Sequence, residues 1–218
     1  AAPQLNDKPG WYRIAPHVHT VHSDGRLTPA EVIALGKASG LDGIVSTDHN
    51  TTSALLHWGE VQDPEFLVIN GVEVSCGQGH WNIFGLDPHA WIDFRIHHND
   101  TLRYRKAVAK ARKAGRLLVA NHPYNLDFLY DVTPMDGIEV WNSAWSPANE
   151  RAVELWHTLL VGGNRKFAVA STDFHRGGNI ASPHTVVRAE ALSAEAVIDA
   201  IAAGRSYVAR DASVEIGM

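Results

Sequence analysis

The chain has 218 residues, 45% of them hydrophobic and 20% charged. That is enough apolar material for one sizeable core, either an α/β barrel or a large two-layer domain. A formal net charge of −5 and the lack of any run of roughly 18 apolar residues exclude a general binder of long nucleic acid and a helical membrane span.

The first residues, AAPQLNDKPG, are small and polar. They resemble the start of a mature chain after cleavage at a small-residue site, which favours a secreted or periplasmic protein; a chain engineered to begin there would look the same, and a cytoplasmic location stays open. WYRIAPHVHT then reads as a first strand. In TPAEVIALGKASG, Thr28 is a candidate N-cap, Pro29 sits at the first helical position and Glu31 completes a capping box. Val32, Leu35 and Ala38 follow at helical spacing up to a stop at Gly40. LDGIVSTDHN is a second strand, apolar up to Ser46. EFLVINGVEVS is a third, and HWNIFGLD a fourth that is close enough behind to run antiparallel. A helix is expected from Asp100 to Ala114, stopped by Gly115. The basic cluster from Arg103 to Arg116, most of which falls in this helix, reads as a solvated helix face. RLLVANH and GIEVWN are further strands. A helix from Pro147 to Leu160 precedes the strand KFAVAST. TVVRAE, a helix capped by Ser193 and ending before Gly204, and SYVAR complete the pattern. No repeat or composition shift divides the chain, so residues 1–218 are expected to form one domain. Strands alternating with helices imply a largely parallel, closed or nearly closed sheet, whose chemistry collects at the C-terminal strand ends.

Histidine is the outlier, at 13 residues. His17 and His19 end the first strand, with Asp24 in the following loop. Asp48 and His49 end the second, and Glu73 the third. His80 opens the fourth after CGQG, His122 ends RLLVANH, and Asp173 and His175 end KFAVASTDFH. Any one of these alone reads as structural. The pairs His17/His19 and Asp173/His175 carry more weight, because alternation along a strand points both side chains to one face. Together, His17, His19, Asp24, His49, Glu73, His80, His122, Asp173 and His175 can converge in one mouth. Imidazole and carboxylate donors without thiolate suit zinc, manganese or iron alike. Nine residues exceed one coordination sphere, so two or three ions are expected, with a carboxylate such as Glu73 bridging. Two ions about 3.5–4 Å apart can hold a bridging hydroxide as nucleophile and clamp phosphoryl oxygens. Cys76, the only cysteine, excludes an intrachain disulfide and a zinc ribbon and is not assigned as a ligand.

HVHTVHSDG, STDHN, NGVEVS, NHP and STDFH follow the order and spacing of the PHP (polymerase and histidinol phosphatase) superfamily, which the chain resembles from about His17 to His175. GLDGIVSTDHN, GVEVSCGQGHWNIFGL and IEVWN look most like its carbaryl-hydrolase-like branch. The resemblance implies a distorted (β/α)7 barrel with a trinuclear site. Carried over by motif, His17, His19, Glu73 and Asp173 would hold one ion. Glu73, His80 and His122 would hold a second, and Asp24, His49 and His175 a third. The expected catalytic set is Glu73, Asp173 and His175 from these motifs, with Arg176 added from the chemistry of its guanidinium. The implied activity is hydrolysis of a small phosphomono- or phosphodiester. Carbamate or carboxylic ester cleavage is the alternative, and a non-catalytic metal-binding module the second alternative, against which the intact donor set argues.

Around the expected mouth, Arg176 is either a phosphate-binding guanidinium or a surface arginine. Asn50, Tyr124, Trp141 and Asn142 adjoin strand ends, and Tyr124 or Trp141 could stack on an aromatic group. His22 is expected to be an exposed loop residue or, less simply, a substrate contact. His184 belongs to no motif. His57, His89, His97, His98 and His157 are assigned to surface or structural roles.

Overall fold

The computed structural model describes residues 5–61, 63–77, 79–125, 130–211 and 213. The elements run in the order β1 (Gly10–Val18), α1 (Pro29–Ala38), β2 (Gly43–Ser46), α2 (Ser53–His57), β3 (Leu67–Cys76), β4 (Gly79–Phe84), α3 (Thr101–Ala114), β5 (Leu117–Ala120), β6 (Gly137–Asn142), α4 (Pro147–Val161), β7 (Phe167–Ser171), β8 (His184–Ala189), α5 (Ala194–Ala202) and β9 (Ser206–Ala209). The capping box at α1 forms as expected. The Glu31 amide donates to Thr28 Oγ1, and the Thr28 amide to Glu31 Oε2. Asp100 and Ser193 cap α3 and α5. The short α2 went unanticipated because its five residues are too few to show a helical period.

The strands form one nine-stranded sheet in the order β7-β6-β5-β4-β3-β2-β1-β8-β9. β1, β2 and β3 pair in parallel, as do β5, β6 and β7. β4 is antiparallel to both β3 and β5, as the short connection behind β3 predicts, and β8 is antiparallel to β1. The sheet is therefore mixed, and it curls into a nearly closed barrel. Among the described residues, helices follow β1, β2, β4, β6 and β8, so the strand count departs from a regular seven-fold β/α repeat. Two side-chain hydroxyls seal the seam where β7 returns to β1 and β8. Ser171 Oγ accepts from the His17 amide and donates to the His17 carbonyl. Thr185 Oγ1 does the same for both backbone groups of Ala170, at 2.9 and 3.0 Å. Just beyond β7, the His19 amide donates to the Phe174 carbonyl at 2.8 Å.

Alternation along the strands separates two apolar clusters. One contains Ile44, Val72, Val74, Ile83, Leu118, Ile138 and Val140. The other contains Ile14, Val45, Leu67, Ile69, Phe84, Val119 and Val169, and takes in Val197, Ile198, Ala200 and Ile201 of α5. The second row is the one that changes character along each strand. On β3, Leu67 and Ile69 give way on the same face to Glu73. On β5, Leu117 and Val119 give way to Asn121 at the strand end. On β4, Phe84 shares its face with Asn82 and His80. On β1 the face switches phase. Ile14 is in the second cluster, while Ala15 and Val18 are both in the first, and a register shift falls between Ala15 and Val18. That bulge turns His17 and His19 to the side where simple alternation from Ile14 would have put Pro16 and Val18.

The basic run on α3 is the solvated face expected. Tyr104, Ala107, Val108 and Ala111 are buried on the other side, and Arg103, Arg112 and Arg116 pair with Asp100, Asp136 and Asp199. No helix among the described residues is long and apolar enough to cross a membrane.

The hydroxyl seam makes a measurable demand. Thr185→Val keeps the shape but strands a buried amide and carbonyl of Ala170, at a cost of about 1–3 kcal/mol. Urea unfolding of the variant checks this; an unchanged midpoint and slope would show the seam to be dispensable.

Candidate metal centre

The inward polar layer gathers all nine sequence-predicted donors at one end of the barrel. Glu73 is fully buried at its centre. Its Oε2 lies 3.2 Å from His17 Nε2, 3.4 Å from His19 Nε2 and 2.9 Å from His49 Nδ1. Its Oε1 lies 3.2 Å from His80 Nδ1 and 3.4 Å from His122 Nε2. Asp173 Oδ1 approaches His17 Nε2 at 3.2 Å and His19 Nε2 at 2.9 Å. Asp24 Oδ1, nearer solvent, faces His175 Nε2 at 3.2 Å, His49 Nε2 at 3.6 Å and His19 Nδ1 at 3.9 Å.

Donor atoms within 4.8 Å of one another form four overlapping groups: His17, His19, Glu73 and Asp173; His19, Asp24, His49 and His175; His49, Glu73 and His80; and His17, His122 and Glu139. The first grouping coincides with that implied for one ion. The others divide the remaining donors differently, with His49 lying between two groups and Glu139 added.

This donor set fits metal ions. Buried atoms normally find hydrogen-bond partners. Here His17 Nε2, both ring nitrogens of His19, Glu73 Oε2, His80 Nδ1, His122 Nδ1 and Asp173 Oδ1 are buried without one among the described residues. All of these atoms are on residues whose donors crowd together, and none is a thiol. Cys76 stands apart, with Sγ donating to the Gly79 carbonyl.

The loops hold the donors by identifiable contacts. Asp48, adjacent to His49, is buried and accepts from the Thr20 amide, Thr20 Oγ1 and Ser23 Oγ, tying down the loop that carries Asp24. Gly25 lies so close to that loop's backbone that a Cβ would sit 2.6 Å from the His19 carbonyl oxygen. Asn50, left-handed at φ 56°, uses its side-chain amide to pair with both backbone groups of Ser75, and its own amide donates to the Glu73 carbonyl. Ser75 Oγ meets His49 Nδ1. Asn121 Nδ2 donates to Glu73 Oε1 at 2.8 Å. Two donors, His122 at φ 25° and Asp173 at φ 54°, occupy left-handed backbone that L-residues rarely adopt.

Several of these residues carried a sequence signal that went unused. Glu139 is a charged residue inside the otherwise apolar strand GIEVWN, and it is 2% exposed. Asp48 stands at the same strand-end junction as the donor His49, and its carboxylate is used for loop support instead. His22 is a correction: it is half-buried, with Nδ1 on Ser53 Oγ at 2.9 Å and its ring stacked on His57 at 5.0 Å. His184 is buried on β8, bonded to the Ala181 carbonyl, and in none of the donor groups. Tyr124 lies under the Arg151 guanidinium at 4.1 Å, and Trp141 meets Trp145 edge-on at 5.0 Å. Arg176 is exposed and, with Asp173, His175, Ser143 and Asn179, lines a cavity of about 300 Å³ beside the donors. His57, His89, His97, His98 and His157 are exposed.

The electrostatics differ sharply between neighbours. Burial alone would lower the His17 pKa, but the Asp173, Glu73 and Glu139 carboxylates outweigh it and hold it well above the usual imidazole value. For His19 burial wins and the pKa falls. Burial would raise Glu73, yet the His17 charge and contacts from His122, His17 and His49 hold it well below the ordinary carboxylate range.

No family model matches the chain. An uncharacterized protein of Methanocaldococcus jannaschii is 26% identical over 146 residues, 58% of this chain and 80% of that protein. A two-domain protein of Bacteroides vulgatus, containing a predicted PHP-like metal-dependent phosphoesterase, aligns at TM-score 0.68 and 20% identity, covering 97% of this chain and 68% of that one. The fold is of the PHP type. A putative metal-dependent phosphoesterase of Bifidobacterium adolescentis aligns at TM-score 0.55 and 19% identity over 79% of this chain and 90% of its own. An amidohydrolase of Chromobacterium violaceum aligns at TM-score 0.57 and 20% identity over 77% and 89%. These likenesses are of fold, and they do not extend to a carbaryl-hydrolase-like branch.

The raised His17 pKa has a thermodynamic consequence. A metal ion needs the neutral ring, so the proton that His17 holds near neutrality must leave when an ion enters. Calorimetric titration of the metal-free chain with zinc at pH 7, in two buffers of different ionisation enthalpy, is expected to show proton release, with affinity falling as pH falls. Identical apparent enthalpies in both buffers would contradict it.

Proposed function

We propose that this chain is a metal-dependent hydrolase that cleaves a small phosphomono- or phosphodiester. The observation that carries the proposal is the fully buried Glu73 carboxylate, with Oε1 and Oε2 each facing different imidazoles, each of which has a buried ring nitrogen without a hydrogen-bond partner among the described residues. In this reading His17, His19, Glu73 and Asp173 hold one ion, Glu73, His80 and His122 a second, and Asp24, His49 and His175 a third. The number of ions is two or three, and zinc, manganese or iron would suit the donors. Ions so held would acidify a water into a nucleophile near neutral pH and polarise the oxygens of the electrophile.

The chain's own groups divide the remaining work. The Glu73 carboxylate, kept ionised, supplies negative charge to both sides of the centre. Asp173 orients His175 through its carbonyl, which accepts from His175 Nδ1 at 2.8 Å and leaves Nε2 turned toward Asp24. Arg176, with no ion pair among the described residues, stands at the cavity rim where a guanidinium can take two phosphoryl oxygens at once. Phosphoester chemistry is favoured by the two phosphoesterase neighbours of like fold and by this cation. The amidohydrolase neighbour supports a second reading, in which the electrophile is the carbonyl carbon of a carbamate or carboxylic ester, the activity implied by the carbaryl-hydrolase-like branch.

Purified chain loaded with zinc, manganese or iron should hydrolyse aryl phosphomono- or phosphodiesters. Glu73→Gln should abolish this turnover, and Arg176→Ala should raise KM more than it lowers kcat. Turnover of aryl carbamates or esters with no phosphoester cleaved would reverse the ranking. Less than one bound ion per chain, with Glu73→Gln as active as the parent, would leave the non-catalytic alternative.

A further inference from the structure

Glu139 belongs to none of the expected donors, yet it touches two of them. It lies mid-strand on β6 and is 2% exposed. Its Oε1 is 3.1 Å from His17 Nδ1. Its Oε2 accepts from the His122 backbone amide at 2.9 Å and from Asn142 Nδ2 at 3.2 Å. The network continues outward. The Asn142 amide donates to Asn149 Oδ1, and Asn149 Nδ2 returns bonds to the Asn142 and Ala144 carbonyls, anchoring the chain to the first turn of α4. Glu139 is thus spoken for at both oxygens, and the rigid end of a helix fixes its position.

We infer that Glu139 is a positioning residue that couples two ion positions: it fixes which nitrogen of His17 binds metal and holds His122 in the backbone conformation that lets it bind. The inference rests on the metal-dependent reading of the site. The geometry for His17 is direct. A carboxylate at Nδ1 makes that nitrogen the N–H donor and leaves Nε2, which faces Glu73 and Asp173 at 3.2 Å, as the ligand atom. His122 is held through its main chain. Its φ of 25° is strained, and the bond from its amide to Glu139 Oε2 is one of the contacts that impose it. His17 faces Asp173 and Glu73 Oε2, whereas His122 Nε2 faces Glu73 Oε1, so one carboxylate serves both sides of the central glutamate. The group of His17, His122 and Glu139 therefore reads as two donors and their shared support, because both Glu139 oxygens already accept N–H groups.

Metal-free full-length chain and its Glu139→Gln and Glu139→Leu variants would be titrated with zinc, with stoichiometry measured by elemental analysis. Thermal unfolding of each apo-protein reports folding, and long-range 1H–15N spectra of the zinc-loaded chains report the His17 ring. The expected order of affinity is parent, then Gln, then Leu, with a loss of about 10–100-fold for Leu. Both ion positions should weaken together, and the parent His17 should carry its proton on Nδ1. Should Glu139→Leu not fold, Asn142→Ala removes a support of Oε2 without touching any donor and should shift affinity in the same direction by a smaller factor. Unchanged affinity and stoichiometry in the variants overturns the inference while leaving the metal reading intact. Loss of one ion, with the rest bound as tightly and the His17 signature unmoved, overturns it in favour of Glu139 as a ligand. A parent chain that takes up neither zinc nor manganese sinks the metal reading itself.

Discussion

A fully buried carboxylate surrounded by imidazoles is the constraint on which this structure turns. Glu73 sits inside a barrel with no water-exposed surface of its own, and the rings of His17, His19, His49, His80 and His122 approach it from four strands or the turns just after them. Neutral rings would leave the carboxylate charge uncompensated, and protonated rings would repel one another across a few ångströms. Burial and charge pull the two rings in opposite directions: the Asp173, Glu73 and Glu139 carboxylates raise the His17 pKa, whereas burial lowers that of His19. Cations bound between the rings resolve both problems, since they satisfy the carboxylate and use the lone pairs of neutral imidazoles. The unpartnered nitrogens and oxygens are the structural trace of that resolution.

The rest of the fold serves this layer. Below it, Leu67, Ile69, Val119 and Val169 join α5 in an apolar cluster, a low-dielectric floor that magnifies every charge above. Backbone irregularities sit where donors must be aimed: the bulge on β1 ahead of His17, and left-handed residues at His122 and Asp173. Seam closure by Ser171 and Thr185 belongs to the same pattern. A continuous ladder between β7 and β1 is replaced by hydroxyl bridges, which leave the ends of both strands free to turn their histidines and aspartate inward.

Much of this was legible in the sequence, for a physical reason. Donors placed at strand ends inherit their direction from the strand, and strands announce themselves by alternation and by the glycines and caps that bound them. Strand ends and motif order together bring His17, His19, Glu73 and Asp173 to one mouth, although a bulge aims the first two and a left-handed residue the last. What escaped notice depends on contacts between distant segments. Glu139 looks like one charged residue in a strand until β6 is seen beside β5 and β1. Asp48 supports a loop 25 residues away in sequence, at Ser23. Periodicity carries no information about such partners. The same holds for the strand directions around β8, because antiparallel pairing of TVVRAE with β1 is a property of the whole sheet. The division of donors among ions likewise needs distances, and His49, which lies within reach of both Glu73 and Asp24, illustrates why motif order could not supply it.

The donors and the rim obey different rules, and that separates the chemistry from its target. Donors are buried, held by backbone geometry and cross-linked by shared carboxylates, so altering one disturbs several. The rim is built from loops: Arg176 and Asn179 after β7, Ser143 and the Trp141/Trp145 pair at the end of β6. None of those residues hydrogen-bonds to Glu73 among the described residues. The Arg151 guanidinium over Tyr124 fills one surface on which an aromatic substrate group could have stacked, while Trp145 keeps half of its surface in solvent. In the proposed reading, an electrophile presented to the inner layer would meet the same ions and the same carboxylate whether it is phosphorus or a carbonyl carbon. Selection between them would then fall to the charge and shape of the rim, where the Arg176 guanidinium, without an ion pair among the described residues, would favour the more anionic of the two.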